Sequence, residues 1–427
     1  MQQPTVVEMT TEQIFEKFGI DIKTVSKVKD VEELKKNPPA MLIATAQMDF
    51  SYSINYGGQQ TFKQGTSKVL SPGLYLQLEN SSKTQYAKMR PAEKLFKDVY
   101  KPYNGQDLSN KKLVVWRTGG IGDLLFIQPS LRYLKKKYPT CIIYICCAPT
   151  YHSIVATWDC IDKVLDFPLS DTYLYECDYH TTFEGVIERT EEAEKVNAYK
   201  LFSEWMGLNK ISNKDLVPIL KTVPIHDEIV QDYLTKNNLV ENEFIVMQLR
   251  ASSPIRTPGS NCWKNIMIPL LKEGYNFAIT DNPLMADRID KFISIVIPDQ
   301  YKNQVYNFTS SSTNILNSIS LVAKCRMTLS PDSSFIHIGQ ALNKPGLGIY
   351  GPFSGDVRLS TYKNAEWVEP RESNVCKYNG RRCYIHGQYC EAFKEGETAP
   401  CFNFLDYDEI FKKAQKLYAL GSTTEKG

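Results

Sequence analysis

The chain has 427 residues, 42% of them hydrophobic and 23% charged, a balance that excludes a disordered chain, a collagen-like fibre and a disulfide-rich miniprotein. At roughly 150 residues per domain it has room for about three. Lys and Arg number 50 against 48 Asp and Glu, a formal charge of +2, so any pull on nucleic acid or an acidic bilayer would need a local patch. No apolar run approaches the roughly 18–20 residues of a bilayer span. Met1-Gln2-Gln3-Pro4-Thr5 has neither the basic start nor the apolar core of a secretion signal. The expected location is the cytoplasm.

The first 108 residues read as an accessory module, α+β or β-rich. Thr11–Phe18 and Val31–Lys36 have helical patterning, whereas Phe50–Tyr56, Thr61–Phe62 and Gly73–Leu78 carry β-formers between the turns Gly57-Gly58 and Pro72-Gly73. No chemical motif stands out in it. Asn104-Gly105 and Ser109-Asn110 mark a linker.

From Lys111 the pattern changes. Leu113–Trp116 reads as a short buried strand, followed by a glycine-rich turn and a helix with apolar positions at Leu124, Ile127, Leu131, Leu134 and Tyr138. Cys141–Cys147 and Lys163-Val164-Leu165 are the next strands, so the order strand–helix–strand implies a parallel sheet. Residues 109–235 are taken as a first Rossmann-like domain, and the stretch Asn213–Asn242, which carries Pro218 and Pro224, holds the link to the next block.

A second α/β block restarts at Phe244 and fills residues 236–370. Strands are expected at Phe244–Gln248, Asn276–Thr280, Met327–Leu329 and Gly346–Tyr350. Helices are expected at Asn265–Leu271, Met285–Ile295, Ile315–Lys324 and Ser333–Leu342. Residues 371–427 form a cysteine-bearing tail closed by an amphipathic helix, Tyr407–Leu420. Eleven cysteines, an odd number without a signal peptide, indicate reduced thiols, and Cys141, Cys146 and Cys147 suit core filling. Cys376, Cys383, Cys390 and Cys401 cluster around His386, but they contain no Cys-x-x-Cys pair. Whether they bind a metal is left open, and no cofactor or catalytic metal is assigned.

Two segments carry chemistry. In Arg117-Thr118-Gly119-Gly120-Ile121-Gly122-Asp123, glycines after a strand let the backbone turn tightly and a ligand approach the helix start. The dinucleotide pattern Gly-x-Gly-x-x-Gly does not fit, because Gly120-x-Gly122 is followed by Leu125. Asp123 stands in the first helical turn, either as a dipole partner or as a catalytic carboxylate. The second segment is Ser330-Pro331-Asp332-Ser333-Ser334-Phe335-Ile336-His337. Asp332 and Ser333 end a strand and open a helix whose free N–H groups could hold a phosphate.

Together these segments resemble glycosyltransferase family 9, the ADP-heptose:lipopolysaccharide heptosyltransferases. The family's first signature is similar to Gly120-Ile121-Gly122-Asp123 with Pro129. Its second is similar to Asp332-Ser333-Ser334-Phe335-Ile336-His337, then Gln340-Ala341-Leu342 and Tyr350-Gly351-Pro352. The resemblance runs from Lys111 to Leu420. It implies a GT-B fold, two Rossmann-like doubly wound domains facing a cleft, and inverting, metal-independent sugar transfer from an ADP-heptose-like nucleotide sugar to an acceptor hydroxyl.

Carried over, Asp123 is the general base, in a loop built on Gly119, Gly120 and Gly122. Asp332, Ser333, Ser334 and His337 line the donor's diphosphate pocket, and Arg250, Arg256 and Lys264 are candidate cations for it. Ser334 stands where the family has glycine, and Pro254-Ile255-Arg256-Thr257-Pro258-Gly259 reshapes a phosphate region, so the sugar and nucleotide stay open. The acceptor stays open too, between a glycan, another hydroxyl compound and a modified nucleic-acid base. Lys135-Lys136-Lys137 would suit a peripheral contact with the inner face of a membrane, or simply a solvated helix end. The alternative to an enzyme is a binding or scaffold protein on a catalytically decayed GT-B fold.

Overall fold

The structure, a computed structural model, describes residues 28–36, 41–54, 58–92, 97–117, 119–370, 393 and 398–422. Thr11–Phe18, Cys376, Cys383, His386 and Cys390 lie outside them. The chain divides into two compact units, Met1–Asp215 and Leu216–Gly427.

In the first unit, α1 (Val31–Lys36) precedes β1 (Leu42–Ala46), β2 (Phe50–Ile54), β3 (Gly58–Phe62), β4 (Ser67–Leu70) and β5 (Ala87–Pro91). β1 pairs antiparallel with both β4 and β5, and β2 pairs antiparallel with β3. Between β4 and β5 runs a helix, α2 (Pro72–Asn80), where the sequence pattern suggested β-formers at Gly73–Leu78. Ser71 explains the difference. Its side chain accepts from the Leu74 N–H as an N-cap, and Pro72 occupies a first-turn position where a missing N–H costs no helical bond.

β6 (Lys112–Trp116), β7 (Ile142–Cys147), β8 (Lys163–Asp166) and β9 (Tyr179–Thr182) form a parallel sheet ordered β8-β7-β6-β9. α3 (Ile121–Lys137) connects β6 to β7 and packs against α4 (Ala198–Trp205), with Phe126 edge-on to Tyr199 at 4.8 Å. Side chains alternate faces along a strand. Val114 and Trp116 of β6 therefore face away from Leu113 and Val115. With Cys146 and Leu165, that first pair shares one core with Ile43, Phe50, Phe62, Leu70 and Leu78. The β1–β5 module thus covers a sheet face that a second helical layer usually covers.

His180 on β9 ties in the segment before β6. Its buried Nδ1 accepts from the Lys101 N–H at 2.9 Å, and Nε2 donates to the Leu174 carbonyl at 2.9 Å. Burial pushes its pKa below the ordinary 6.5.

The second unit begins with α5 (Pro224–Lys236), which Pro224 opens, where the sequence pattern indicated only a link. Its sheet contains β10 (Phe244–Met247), β11 (Asn276–Ile279), β12 (Val305–Asn307), β13 (Met327–Pro331), β14 (Gly346–Ile349) and β15 (Ala365–Val368). All neighbours are parallel, in the order β12-β11-β10-β13-β14-β15. The helices are α6 (Ser260–Lys272), α7 (Ala286–Val296), α8 (Ile315–Ala323), α9 (Ser334–Ala341), α10 (Gly355–Leu359) and α11 (Tyr407–Gly421). Among them α11 buries Ile410, Ala414 and Leu417 in the core of this unit. Arg326 fastens its end by donating from Nε to the Tyr418 carbonyl at 2.9 Å and lying 4.5 Å over the Tyr418 ring.

Counted within its sheet, the strand order of the second unit is 3-2-1-4-5-6 and that of the first unit's parallel sheet 3-2-1-4. In both, the winding reverses between strands 1 and 4, and the carboxyl ends of strands at such a reversal are where open α/β sheets bind ligands.

Two outcomes follow from this architecture. Removing residues 1–108 uncovers Val114, Trp116, Cys146 and Leu165, so the 109–427 fragment should bind a hydrophobic dye and aggregate on size exclusion where the full chain does not. Stability should also fall as pH drops below about 6.5, where the unfolded chain protonates His180 before the folded one does. His180→Asn should flatten that slope by up to ~1.4 kcal/mol per pH unit in denaturant titrations.

Candidate functional site

At the β6/β9 reversal, Arg117 follows β6 directly and is 3% exposed. Its Nε and Nη2 donate to Asp123 Oδ1 at 3.2 and 2.8 Å, and Nη2 also reaches Glu188 Oε1 at 2.7 Å. Nη1 donates to the Phe183 carbonyl at 2.6 Å, beyond the end of β9, and the guanidinium lies 5.3 Å over the Phe202 ring of α4. Burial opposes this charge. The carboxylates of Glu188, Asp123 and Glu184 outweigh it and hold Arg117 above its ordinary pKa.

Asp123 stands in the first turn of α3, its side chain 27% exposed. Its Oδ2 accepts from the Gly120 N–H at 3.1 Å, so the same carboxylate caps the helix. Gly119 has φ +138°, and a Cβ built there would come within 2.5 Å of Asp123 Oδ2. Only glycine satisfies both demands. The arrangement holds one partly exposed carboxylate at the mouth of a buried cation, the arrangement required of a fixed proton acceptor.

At the β10/β13 reversal, Ser333 caps α9. Its hydroxyl accepts from the Phe335 N–H at 3.3 Å and donates at 2.7 Å to Gln248 Oε1, just past β10. The first N–H groups of α9 have no intrahelical acceptor, which makes this end receptive to an anion. Beside it, Arg256 Nη1 donates to the Asp332 carbonyl at 3.0 Å and to Asp332 Oδ2 at 3.3 Å, and Nη2 donates to Ser252 Oγ at 2.6 Å. Both members of the Arg256–Asp332 pair are largely buried, at 12% and 7% side-chain exposure.

Arg250 forks onto Asp281 at the end of β11, at 2.9 and 3.1 Å. His337 is buried one turn into α9, with Nδ1 2.7 Å from the Tyr362 hydroxyl. Tyr350 at the end of β14 is fully buried. Lys264 is exposed on α6 and takes no part in these hydrogen bonds among the described residues.

Of the residues singled out in the sequence, the structure brings Gly119, Gly120 and Asp123 together at one strand end and Asp332, Ser333 and Arg256 at another. Sequence patterning missed Gln248, Asp281 and Glu188, none of which stands in a motif. Arg117 lay inside the first motif, and its place at a strand end was the available signal. Asp406, in Asp406-Tyr407-Asp408, accepts from the N–H groups of Asp408 and Glu409 as the N-cap of α11. The described cysteines, Cys401 included, are buried, and no group of three or more metal-binding side chains occurs among the described residues. Lys135 bonds Asp162 and the Cys141 carbonyl. No helix among the described residues is long and apolar enough to cross a membrane.

The family model described as Glycosyltransferase family 9 (heptosyltransferase) matches residues 198–374, a span that holds β10 to β15 and the amino end of α9. The fold of the chain is similar to that of the ADP-heptose lps heptosyltransferase II of E. coli, at 13% identity and TM-score 0.53, over 73% of this chain and 100% of that one. The family 9 glycosyltransferase of Veillonella parvula aligns at 12% identity and TM-score 0.56, over 74% and 99%. The iron-containing dodecameric glycosyltransferase TibC of enterotoxigenic E. coli aligns at 10% and 0.50, over 89% and 92%, a span that cannot be reached without residues before 111. No curated protein matches in sequence. The fold is therefore that of the GT-B heptosyltransferases, with the Gly120–Asp123 motif outside the span that the family model matches.

Gly119→Ala meets both the positive φ and the Asp123 carboxylate. It should cost about 1–3 kcal/mol in urea unfolding, since that backbone region is open essentially to glycine alone.

Proposed function

We propose that this glycosyltransferase moves a sugar, with inversion and without a catalytic metal, from an ADP-heptose-like nucleotide-diphosphate donor to an acceptor hydroxyl. The observation that carries the reading is that each winding reversal bears one half of the required chemistry. The first offers a fixed carboxylate, Asp123, and the second a helix amino end with Ser333, Ser334 and Arg256. The name of the E. coli neighbour supports ADP-heptose as the first donor to try.

In the proposed step the acceptor oxygen attacks the anomeric carbon as its proton passes to Asp123. The carbon–oxygen bond to the diphosphate breaks, and the nucleoside diphosphate leaves with the electron pair. Its growing charge is met by the amino end of α9 and by Arg256, with Arg250 as a further cation. Donor entry then requires Arg256 to exchange Asp332 for a phosphate oxygen. That exchange also motivates the second reading, because a pair that never opens would leave a binding protein on this fold. The acceptor is a hydroxyl of a glycan or of another compound, and a peripheral membrane contact through Lys136 and Lys137 would suit a lipid-linked one.

Asp123→Asn should lower transfer by about 100- to 10,000-fold while ADP-heptose binding, followed by thermal shift or calorimetry, persists. Undiminished turnover in that variant would remove Asp123 from the mechanism. No thermal shift with ADP-heptose or any of a panel of nucleotide sugars at millimolar concentration would favour the binding protein.

A further inference from the structure

We infer that Arg117 is the positioning residue of Asp123, that it commits one carboxylate oxygen, Oδ2, to proton uptake, and that Glu188 is the counter-charge making this uptake possible. The inference rests on the reading of Asp123 as base and names the atoms of that step.

A carboxylate has about four lone-pair positions, two on each oxygen. Oδ1 uses both of its own on Arg117, one for Nε at 3.2 Å and one for Nη2 at 2.8 Å. Oδ2 uses one for the Gly120 N–H at 3.1 Å. Among the described residues one position remains, and it is on Oδ2. Gly119 bears on the same oxygen from another direction: any Cβ at that residue would stand 2.5 Å from Oδ2 and obstruct it. The lone-pair count and the missing side chain therefore select the same atom.

Arg117 is itself immobile, being 3% exposed, bonded to the Phe183 carbonyl and seated over Phe202. That fixity creates a difficulty. When Asp123 takes a proton it becomes neutral, and a buried guanidinium without a partner is costly. Glu188 resolves it. It already bonds the same Nη2 at 2.7 Å, and at 58% exposure its own charge stays well solvated. Arg117 thus keeps an anionic partner throughout the step. The charged groups that act on this guanidinium are Asp123 from α3, and Glu184 and Glu188 from the segment after β9.

A neighbouring cation favours a carboxylate over its acid and a second carboxylate favours the acid, so removing Arg117 and removing Glu188 should act in opposite directions. The test is a pH titration of the Asp123 carboxyl carbon by 13C NMR in the full chain labelled with [13Cγ]aspartate, its resonance assigned by its loss in Asp123→Asn. Arg117→Met should move the midpoint up by about one pH unit or more, and Glu188→Gln should move it down by about half a unit. A role confined to packing would not produce shifts of opposite sign. Midpoints that stay put, or that move the same way, overturn the inference. If Arg117→Met does not fold, the exposed Glu188→Gln alone decides, and an unmoved midpoint overturns it.

A second measurement follows ADP release from ADP-heptose. Arg117→Lys keeps the charge but loses the fork, and should release ADP about tenfold more slowly with donor affinity unchanged. Unmoved midpoints with an inactive Asp123→Asn would overturn this inference alone. A fully active Asp123→Asn would overturn the reading of Asp123 as base, and this inference with it.

Discussion

A parallel sheet has to be buried on both faces, and this requirement shapes each unit of the chain. In the second unit the solution is familiar, with helices between the strands and α11 returning to the core through Ile410, Ala414 and Leu417. The first unit meets the same demand differently. α3 and α4 lie together on one side, while Val114, Trp116, Cys146 and Leu165 on the other are covered by strands that precede the sheet in sequence. The amino-terminal module is therefore structural first, whatever else it does.

Burial on both faces also leaves the strand ends as the places where polar chemistry can reach solvent, and the reversals of winding hold it there. Each reversal collects a buried or half-buried cation onto a carboxylate: Arg117 with Asp123 and Glu188, Arg256 with Asp332, Arg250 with Asp281. Such pairs contribute little net stability, because desolvation consumes most of their attraction. Their contribution is placement. A guanidinium bonded in three directions fixes a carboxylate more closely than packing alone would, and Arg256 is placed to trade one anion for another beside the amino end of α9.

Much of this was legible beforehand. β10 and β14 are unbroken apolar runs, and the glycine-rich turn before Asp123 and the Asp332-Ser333 step at a strand–helix boundary are local patterns with a local cause. What stayed hidden was short or distant. β12 is three residues long, and β15 alternates buried ends with half-buried Glu366 and Trp367. α2 was masked by β-forming neighbours although Ser71-Pro72 is a sound helix start. Glu188 and Gln248 carry no motif, because their partners stand 71 and 85 residues away in the chain.

By itself, then, the amino-acid sequence determined the α/β class, the two chemically equipped strand ends and the resemblance to family 9, since all three depend on periodicity and on residues within a few positions of one another. Only the tertiary structure decided that the opening module shares a core with the first sheet, that Arg256 is held by Asp332, and that Arg117 is divided between two carboxylates. Those facts depend on which distant segments the sheet order brings together, and hydrogen-bond partners chosen in space leave no spacing to read along the chain.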